Sequence, residues 1–93
     1  MRNYYIIAYD ITDNKRLNKV HNYLLGYGTH LQYSIFICEL SATEREILIT
    51  DIYALIKPSE DSIIIYNAGK NVNKNLLTLG IKKKPHDRKA VIV

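Results

Sequence analysis

The 93-residue sequence is short of cysteine, glycine and long apolar runs, and each shortage excludes a class of protein. The single cysteine, Cys38, cannot form an internal disulfide, and its apolar neighbours predict a small buried side chain in a reducing cytoplasm. No apolar run approaches the roughly 18 residues of a membrane helix and no secretion signal opens the chain, so we expect neither export nor a membrane partner. Glycine-rich phosphate loops, paired cysteines and histidines at metal-ligand spacing are also absent.

What is present is the composition of an ordinary folded domain, with 47% hydrophobic and 24% charged residues. These fractions lie far from those of disordered chains, and the length suits a single domain over residues 1–93. A chain this short buries only about 60 to 65% of the surface that its unfolded form exposes, so a monomer would be marginally stable. We therefore expect a homodimer.

The net charge of +4 is concentrated in one segment near the C-terminus. Residues 1–81 contain eight basic and eight acidic side chains, whereas residues 82–89 contain five basic side chains and one acidic one. The five basic residues are Lys82, Lys83, Lys84, Arg88 and Lys89. A cationic cluster in an otherwise balanced domain is typical of a protein that binds a polyanion, and the alternative is a solvated basic loop.

The hydrophobic pattern of the first half predicts strands alternating with a helix. The apolar and aromatic run over residues 4–9 predicts a strand buried on both faces. Apolar residues at three- and four-residue steps predict a helix from Asp13 to Tyr27, with Asp13 as its N-cap. Residues 31–40 predict one strand by alternation. One face of it would carry Leu31, Tyr33, Ile35 and Ile37, and the other Gln32, Ser34, Phe36 and Cys38.

The second half repeats this order. Ser41 and Glu44 have the spacing of a capping box, which predicts a helix start, and Pro58 ends that helix. Residues 62–66 predict a strand. Residues 67–75 are turn-rich, and the leucines that follow form either a short strand or one helical turn.

This order of elements favours a ferredoxin-like α/β sandwich, β-α-β-β-α-β, with two helices on one face of a four-stranded sheet. The other face would be rich in tyrosine and would need a cover. A last strand predicted at residues 90–93 would add to the sheet edge of a second copy, and the alternative is a frayed tail.

Asp10 is the strongest candidate for a functional side chain because it ends a strand, where ligand-binding groups of α/β sheets gather. The alternative is a turn-forming aspartate. Three cations follow on the first turns of the predicted helix, where phosphate is favoured: Lys15, Arg16 and Lys19. His30, which opens a strand, is a candidate phosphate contact, whereas His21 is expected on the solvated side of its helix. Ser34 has no adjacent base and is not expected to act as a nucleophile.

Four short motifs occur together: Tyr9-Asp10-Ile11, Lys15-Arg16, the segment from Gln32 to Phe36, and Cys38-Glu39-Leu40. Jointly they resemble the second CRISPR-associated protein family, and the resemblance covers the whole chain in length and order of elements. It implies a ferredoxin-like homodimer in which the last strand of each protomer extends the other's sheet. It also implies that two Asp10 residues face each other across the two-fold axis.

The resemblance implies a role in CRISPR spacer acquisition, beside the CRISPR integrase. One possibility is a scaffold that binds duplex DNA. The other is a metal-dependent endonuclease, with Mg²⁺ shared between two Asp10 carboxylates, Ser34 positioning the substrate, and single-stranded RNA as a second candidate substrate. We favour the scaffold because each protomer contributes one candidate ligand. A stand-alone endoribonuclease of the related virulence-associated toxin family is the alternative.

Two positions depart from the family pattern. His30 stands where many members have arginine, which weakens one cationic contact. Ile37 stands where many members have glutamate, so no helper carboxylate is available there. The predicted site therefore depends on Asp10.

Overall fold

The computed structural model describes residues 1–80. The predicted basic stretch 82–89 and the predicted final strand 90–93 lie outside these residues. The described elements are β1 (Arg2–Asp10), α1 (Asn14–Leu25), β2 (Gly28–Gln32), β3 (Ile35–Ser41), α2 (Ala42–Leu55), β4 (Ser62–Gly69) and α3 (Val72–Asn75). No helix within residues 1–80 is long and apolar enough to cross a membrane.

The four strands form one sheet in the order β2-β3-β1-β4, in which every neighbouring pair is antiparallel. Each helix therefore connects two strands that are parallel to each other and separated by a third. This is the predicted ferredoxin-like arrangement, and the fold prediction is confirmed.

Both helix starts are set by local signals that the sequence predicts correctly. The Asp13 carboxylate accepts a hydrogen bond from the Arg16 backbone N–H at 3.0 Å and caps α1. Ser41 and Glu44 form the capping box of α2, with reciprocal bonds of 3.1 and 2.8 Å. The last helical residue of α2 is Leu55, before Pro58 as expected.

The core lies between the helices and one face of the sheet. Val20 and Leu24 of α1 and Leu48 of α2 are fully buried against this face. The central strands contribute Tyr5, Ile7, Tyr9, Phe36, Cys38 and Leu40. Cys38 is 1% exposed, so the prediction of a buried thiol is confirmed, and burial raises its pKa to about 12.

Within residues 1–80, neither α1 nor α2 covers the opposite face of the sheet, which we call the open face. At one end of it, Val72 and Leu76 line a hollow together with Ile6 and Tyr66. Ile6 lies between its cross-strand partners Ile37 and Tyr66, and Ala8 lies between Ile35 and Ile64. Ile64 and Tyr66 are 63% and 64% exposed. The prediction that β1 is buried on both faces is therefore wrong for the described chain, since its second face is only half-buried.

Residues 31–40 do not form one strand. They contain the end of β2, a two-residue turn at Tyr33 and Ser34, and most of β3. The antiparallel pairing of β2 with β3 shifts register between His30 and Gln32, so the predicted division of residues into two faces holds only within β3. There Phe36 and Cys38 face the helices.

β4 continues to Gly69, beyond the predicted strand of residues 62–66, so the turn-rich region begins later than predicted. Gly69 has a φ of +76°, a backbone conformation that favours glycine. The turn-rich residues then include the short helix α3. Leu77 and Leu79 are 80% and 83% exposed and belong to neither a strand nor a helix.

Candidate functional site

Asp10 is the last residue of β1 and is exposed. Its side chain lies on the open face, because it alternates with Tyr9, which is buried on the helix side, and shares its parity with Ile6 and Ala8. Its cross-strand partner is Ser62, the first residue of β4. The strand therefore places a carboxylate at one end of an apolar surface that α1 and α2 leave open.

Ser34 lies at the same end of the sheet as Asp10. Its backbone carbonyl accepts a hydrogen bond from the backbone N–H of Tyr9 at 3.1 Å. This bond joins the turn between β2 and β3 to the residue just before Asp10. The structure thus brings the backbones of these two predicted site residues together, and the role of the Ser34 hydroxyl stays a prediction.

Lys15 lies in the first turn of α1 and Lys19 one turn further along it, and both are exposed. Neither forms an ion pair with another side chain of residues 1–80. Their positions are compatible with phosphate binding, which stays a prediction for both.

Arg16 has different surroundings from these lysines. Its Nε lies 2.7 Å from an Asp61 carboxylate oxygen, and its Nη2 lies 3.1 Å from Glu60 and 3.3 Å from the Thr12 hydroxyl. The side chain is only 23% exposed. Its guanidinium is thus directed at two carboxylates of its own chain, through Nε and Nη2, and phosphate binding by Arg16 stays a prediction.

Asp61 was missed as a candidate residue because it lies in a polar turn, Ser59-Glu60-Asp61, that resembles an ordinary loop. Its side chain is fully buried. The carboxylate accepts hydrogen bonds from the backbone N–H groups of Thr12 and Lys57, at 3.2 and 2.8 Å, besides those from Arg16. The hydrogen bond from Arg16, aided by these N–H groups, holds the pKa of Asp61 well below its usual range despite burial.

Glu60, Arg16, Lys57 and Asp61 form one charged cluster, which shifts the pKa values of Glu60 and Arg16 as well. Lys57 lies 3.1 Å from Glu60 and, with Arg16, lowers the pKa of that carboxyl. The hydrogen bond to Asp61 raises the pKa of Arg16. The charged groups of this cluster thus pair with one another, and Asp61 connects the cluster to Thr12, in the segment that follows Asp10.

His30 is 6% exposed, and neither of its ring nitrogens has a hydrogen-bond partner among the described residues. Its ring lies 4.2 Å from the ring of Phe36 and 4.7 Å from that of His21, measured between centroids. Burial lowers the pKa of both histidines, and the neighbouring His21 lowers that of His30 further. This placement does not favour a surface phosphate contact for His30.

His21 is not on the solvated side of α1, so that expectation is wrong. It is half-buried, packs edge-on against Phe36, and lies with its Nδ1 3.4 Å from the hydroxyl of Tyr9. Burial raises the pKa of Tyr9 to about 12. The two imidazoles and these aromatic rings form one cluster beneath the β1 strand end.

The magnesium ion expected at Asp10 stays a prediction. Within residues 1–80 no group of three or more His, Cys, Asp or Glu side chains is placed to hold a metal ion. Mg²⁺ is commonly held by one or two carboxylates and keeps several waters, so an exposed Asp10 fits half of such a site.

Comparison with known proteins gives one consistent result. The family model described as "CRISPR associated protein Cas2" matches residues 1–75. A CRISPR-associated endoribonuclease Cas2 of Thermodesulfovibrio yellowstonii is 41% identical, over 94% of this chain and 92% of the relative. One of Geobacter sulfurreducens is 30% identical over the full length of both chains.

Solved structures agree with these relatives. The crystal structure of Streptococcus pyogenes Cas2 at pH 6.5 superposes with a TM-score of 0.77 at 29% identity, covering 83% of this chain and 99% of that one. A hypothetical protein from Thermus thermophilus superposes with a TM-score of 0.81 at 30% identity, covering 92% of this chain and 100% of that one.

Proposed function

The chain belongs to the CRISPR associated protein Cas2 family, and from this membership we propose that it acts in spacer acquisition as a homodimer that binds duplex DNA beside the CRISPR integrase. A metal-dependent phosphodiester hydrolysis at paired Asp10 residues is the second part of the proposal. The relatives are named endoribonucleases, which supports RNA as a substrate of that hydrolysis, and we propose single-stranded RNA. Family membership also favours this role over that of a stand-alone toxin.

The homodimer is supported by the open face. Its apolar side chains lie next to one another across three strands, and the two most exposed, Ile64 and Tyr66, are each more than 60% exposed. Contiguous apolar patches of this kind on small soluble proteins mark interaction surfaces. A second copy is the proposed cover, because a two-fold axis buries the same patch on both chains at once.

The position of Asp10 supports paired carboxylates. Because Asp10 is on the open face, a dimer that buries this face brings two Asp10 side chains to the interface. One carboxylate binds Mg²⁺ weakly, whereas two related by symmetry provide the pair of oxygen ligands that such an ion commonly takes from protein. This placement of Asp10 is the observation on which the catalytic proposal rests.

The chain's own residues would then hold and orient the substrate. Lys15 and Lys19 would bind phosphates near Asp10, and the basic residues between 82 and 89 would add sequence-independent backbone contacts. A bound magnesium ion would supply a water of lowered pKa. In the proposed hydrolysis, a water oxygen would join phosphorus, the P–O bond to one sugar would break, and the leaving sugar oxygen would take up the proton that the water loses.

Asp10→Asn tests the catalytic proposal, with Asp13→Asn as a matched control. Asparagine at position 10 keeps the shape of the side chain and removes its charge, so cleavage of single-stranded RNA and of duplex DNA with Mg²⁺ should be lost. Asparagine at position 13 is still a good N-cap, so that variant should cleave like the wild type. Both variants should remain dimers that bind duplex DNA.

Cleavage that persists in Asp10→Asn would refute the catalytic part of the proposal and leave the scaffold role. A monomer by light scattering would refute the dimer. For the integrase role, the purified dimer is mixed with the CRISPR integrase and a DNA duplex, and a ternary complex is expected on size exclusion. Failure of the three components to co-elute would contradict it.

A further inference from the structure

Asp61 is a buried carboxylate that the proposed function does not use. One of its oxygens accepts hydrogen bonds from the backbone N–H of Thr12 at 3.2 Å and from Nη2 of Arg16 at 3.1 Å. The other accepts from Nε of Arg16 at 2.7 Å and from the backbone N–H of Lys57 at 2.8 Å. The two charged side chains therefore make the bidentate contact in which a guanidinium and a carboxylate fit best.

These contacts join the two chain segments that adjoin Asp10 and its cross-strand partner Ser62. Thr12 is two residues after Asp10 in the chain, and Asp61 directly precedes Ser62, the cross-strand partner of Asp10. One buried carboxylate thus links the loop that leaves β1 to the loop that enters β4. Both loops begin or end at the residue pair that carries the candidate ligand.

We propose that Asp61 and Arg16 are a positioning pair that fixes the backbone around Asp10, and that Arg16 serves the site through this pair instead of binding phosphate. This inference rests on the proposed function of Asp10. Stability alone is a poor reason for the pair, because well-packed apolar residues often replace a buried ion pair at no cost. In this proposal the four hydrogen bonds instead hold the backbone at Thr12 and Lys57 in one conformation.

Lys15 provides the contrast on the same helix turn. It is exposed and has no ion-pair partner within residues 1–80, whereas Arg16, the next residue, is paired with Asp61 and Glu60. If both bound phosphate, both would release counterions on binding DNA. If the proposed pair stays intact in the complex, only the contact of Lys15 with phosphate releases counterions from the DNA.

The first test is the dependence of duplex DNA affinity on salt concentration. Lys15→Gln should reduce the slope of log affinity against log salt by about 0.9, the value of one phosphate contact. Arg16→Gln, and the neutral double variant Arg16→Gln with Asp61→Asn, should leave the slope at the wild-type value. An Arg16→Gln slope reduced as much as that of Lys15→Gln would overturn the proposal.

The second test is Asp61→Asn in the full-length dimer, followed by three measurements. Hydrogen exchange at the Thr12 amide should quicken at least tenfold relative to amides in the middle of β1. The kcat of Mg²⁺-dependent RNA cleavage should fall by a factor on the order of 10 to 100, because a small misplacement of a reacting group has such effects. KM and the salt slope should stay within about twofold, since the side chains proposed to contact phosphate lie elsewhere.

Unchanged Thr12 exchange in Asp61→Asn would overturn the pair as a loop constraint, and unchanged kcat would overturn it as a positioning device. If Asp61→Asn is unfolded at the assay temperature, the neutral double variant replaces it, because it leaves no buried charge unpaired. A wild-type protein that cleaves nothing would refute the catalytic part of the proposed function, and the Thr12 exchange and the salt slopes would still decide the role of the pair.

Discussion

The two faces of the sheet are built from similar residues and have opposite surroundings. The covered face contains Ile7 and Phe36, each 0% exposed, beneath two helices. The open face contains Ile6, Ile37, Ile64 and Tyr66, of which the last two are more than 60% exposed. Hydrophobic composition therefore does not distinguish an internal core from an interaction surface, and only the placement of the helices does.

Truncation of the covered face should have the largest effect. Phe36→Ala removes a fully buried ring that packs against Tyr9, His21 and His30, and should lower the free energy of unfolding by about 3 to 5 kcal/mol. Chemical denaturation followed by circular dichroism measures this loss. A loss below about 1 kcal/mol would mean that the cluster is not part of the core.

Disruption of the open face should separate association from folding. Tyr66 and Tyr53 are the same residue type and are both 64% exposed, but Tyr66 is on the open face and Tyr53 is on α2. Tyr66→Lys should raise the dimer dissociation constant by a factor on the order of 100, because it places a charge in a desolvated patch. Tyr53→Lys should leave the constant unchanged by analytical ultracentrifugation. Equal effects of the two substitutions would abolish the distinction between the faces.

What could be predicted from sequence depends on whether a feature is formed by residues close together in the chain. The caps at Asp13 and Ser41 are local, because each is completed within three residues, and both predictions were confirmed. The turn at Tyr33 and Ser34 was missed because Ser34 is its only turn-favouring residue and it contains no glycine, proline, asparagine or aspartate. Its presence changes one predicted strand into a hairpin.

The candidate site was predictable only where its signal is local in the sequence. Asp10 ends a strand whose apolar pattern is visible in sequence. The pairing of Arg16 with Asp61 joins residues 45 positions apart, so nothing near Arg16 distinguishes it from Lys15. His21 lies four residues after Leu17 and three before Leu24, so helical periodicity places it on the apolar stripe, and it was missed because a histidine was expected in solvent.

Acidification should weaken the covered face through its buried histidines. Burial lowers the pKa of His30 and of His21 in the folded chain, so folding favours their neutral forms. Their contribution to stability is complete above the unfolded pKa near 6.5 and is lost as pH falls from there through the folded pKa. Urea unfolding at roughly pH 7.5 and at about 5.5 should therefore give a lower midpoint at the lower pH.

His30→Phe is the control for this pH dependence, because it fills the same aromatic cluster without a titratable group. The variant should lose less stability than the wild type between the two pH values. The carboxyls of Asp61, Glu60 and Glu44, whose pKa values are lowered, lose their contribution only below their ordinary values near 4, outside this range. An identical loss in variant and wild type would assign the pH dependence to other groups.

The smallest expected effect concerns the start of α2, the helix that helps to cover one face. Ser41→Ala removes the acceptor for the Glu44 backbone N–H and should cost about 1 kcal/mol of unfolding free energy. Thr43→Ala is the control, because Thr43 is exposed in the same turn and takes no part in the capping box, so it should change stability by less than about 0.5 kcal/mol. Neither substitution touches the open face, so the dimer dissociation constant should stay constant while the denaturation midpoint falls for Ser41→Ala alone. A change in the dimer constant without a change in the midpoint would mean that α2, and not only the open face, contributes to association.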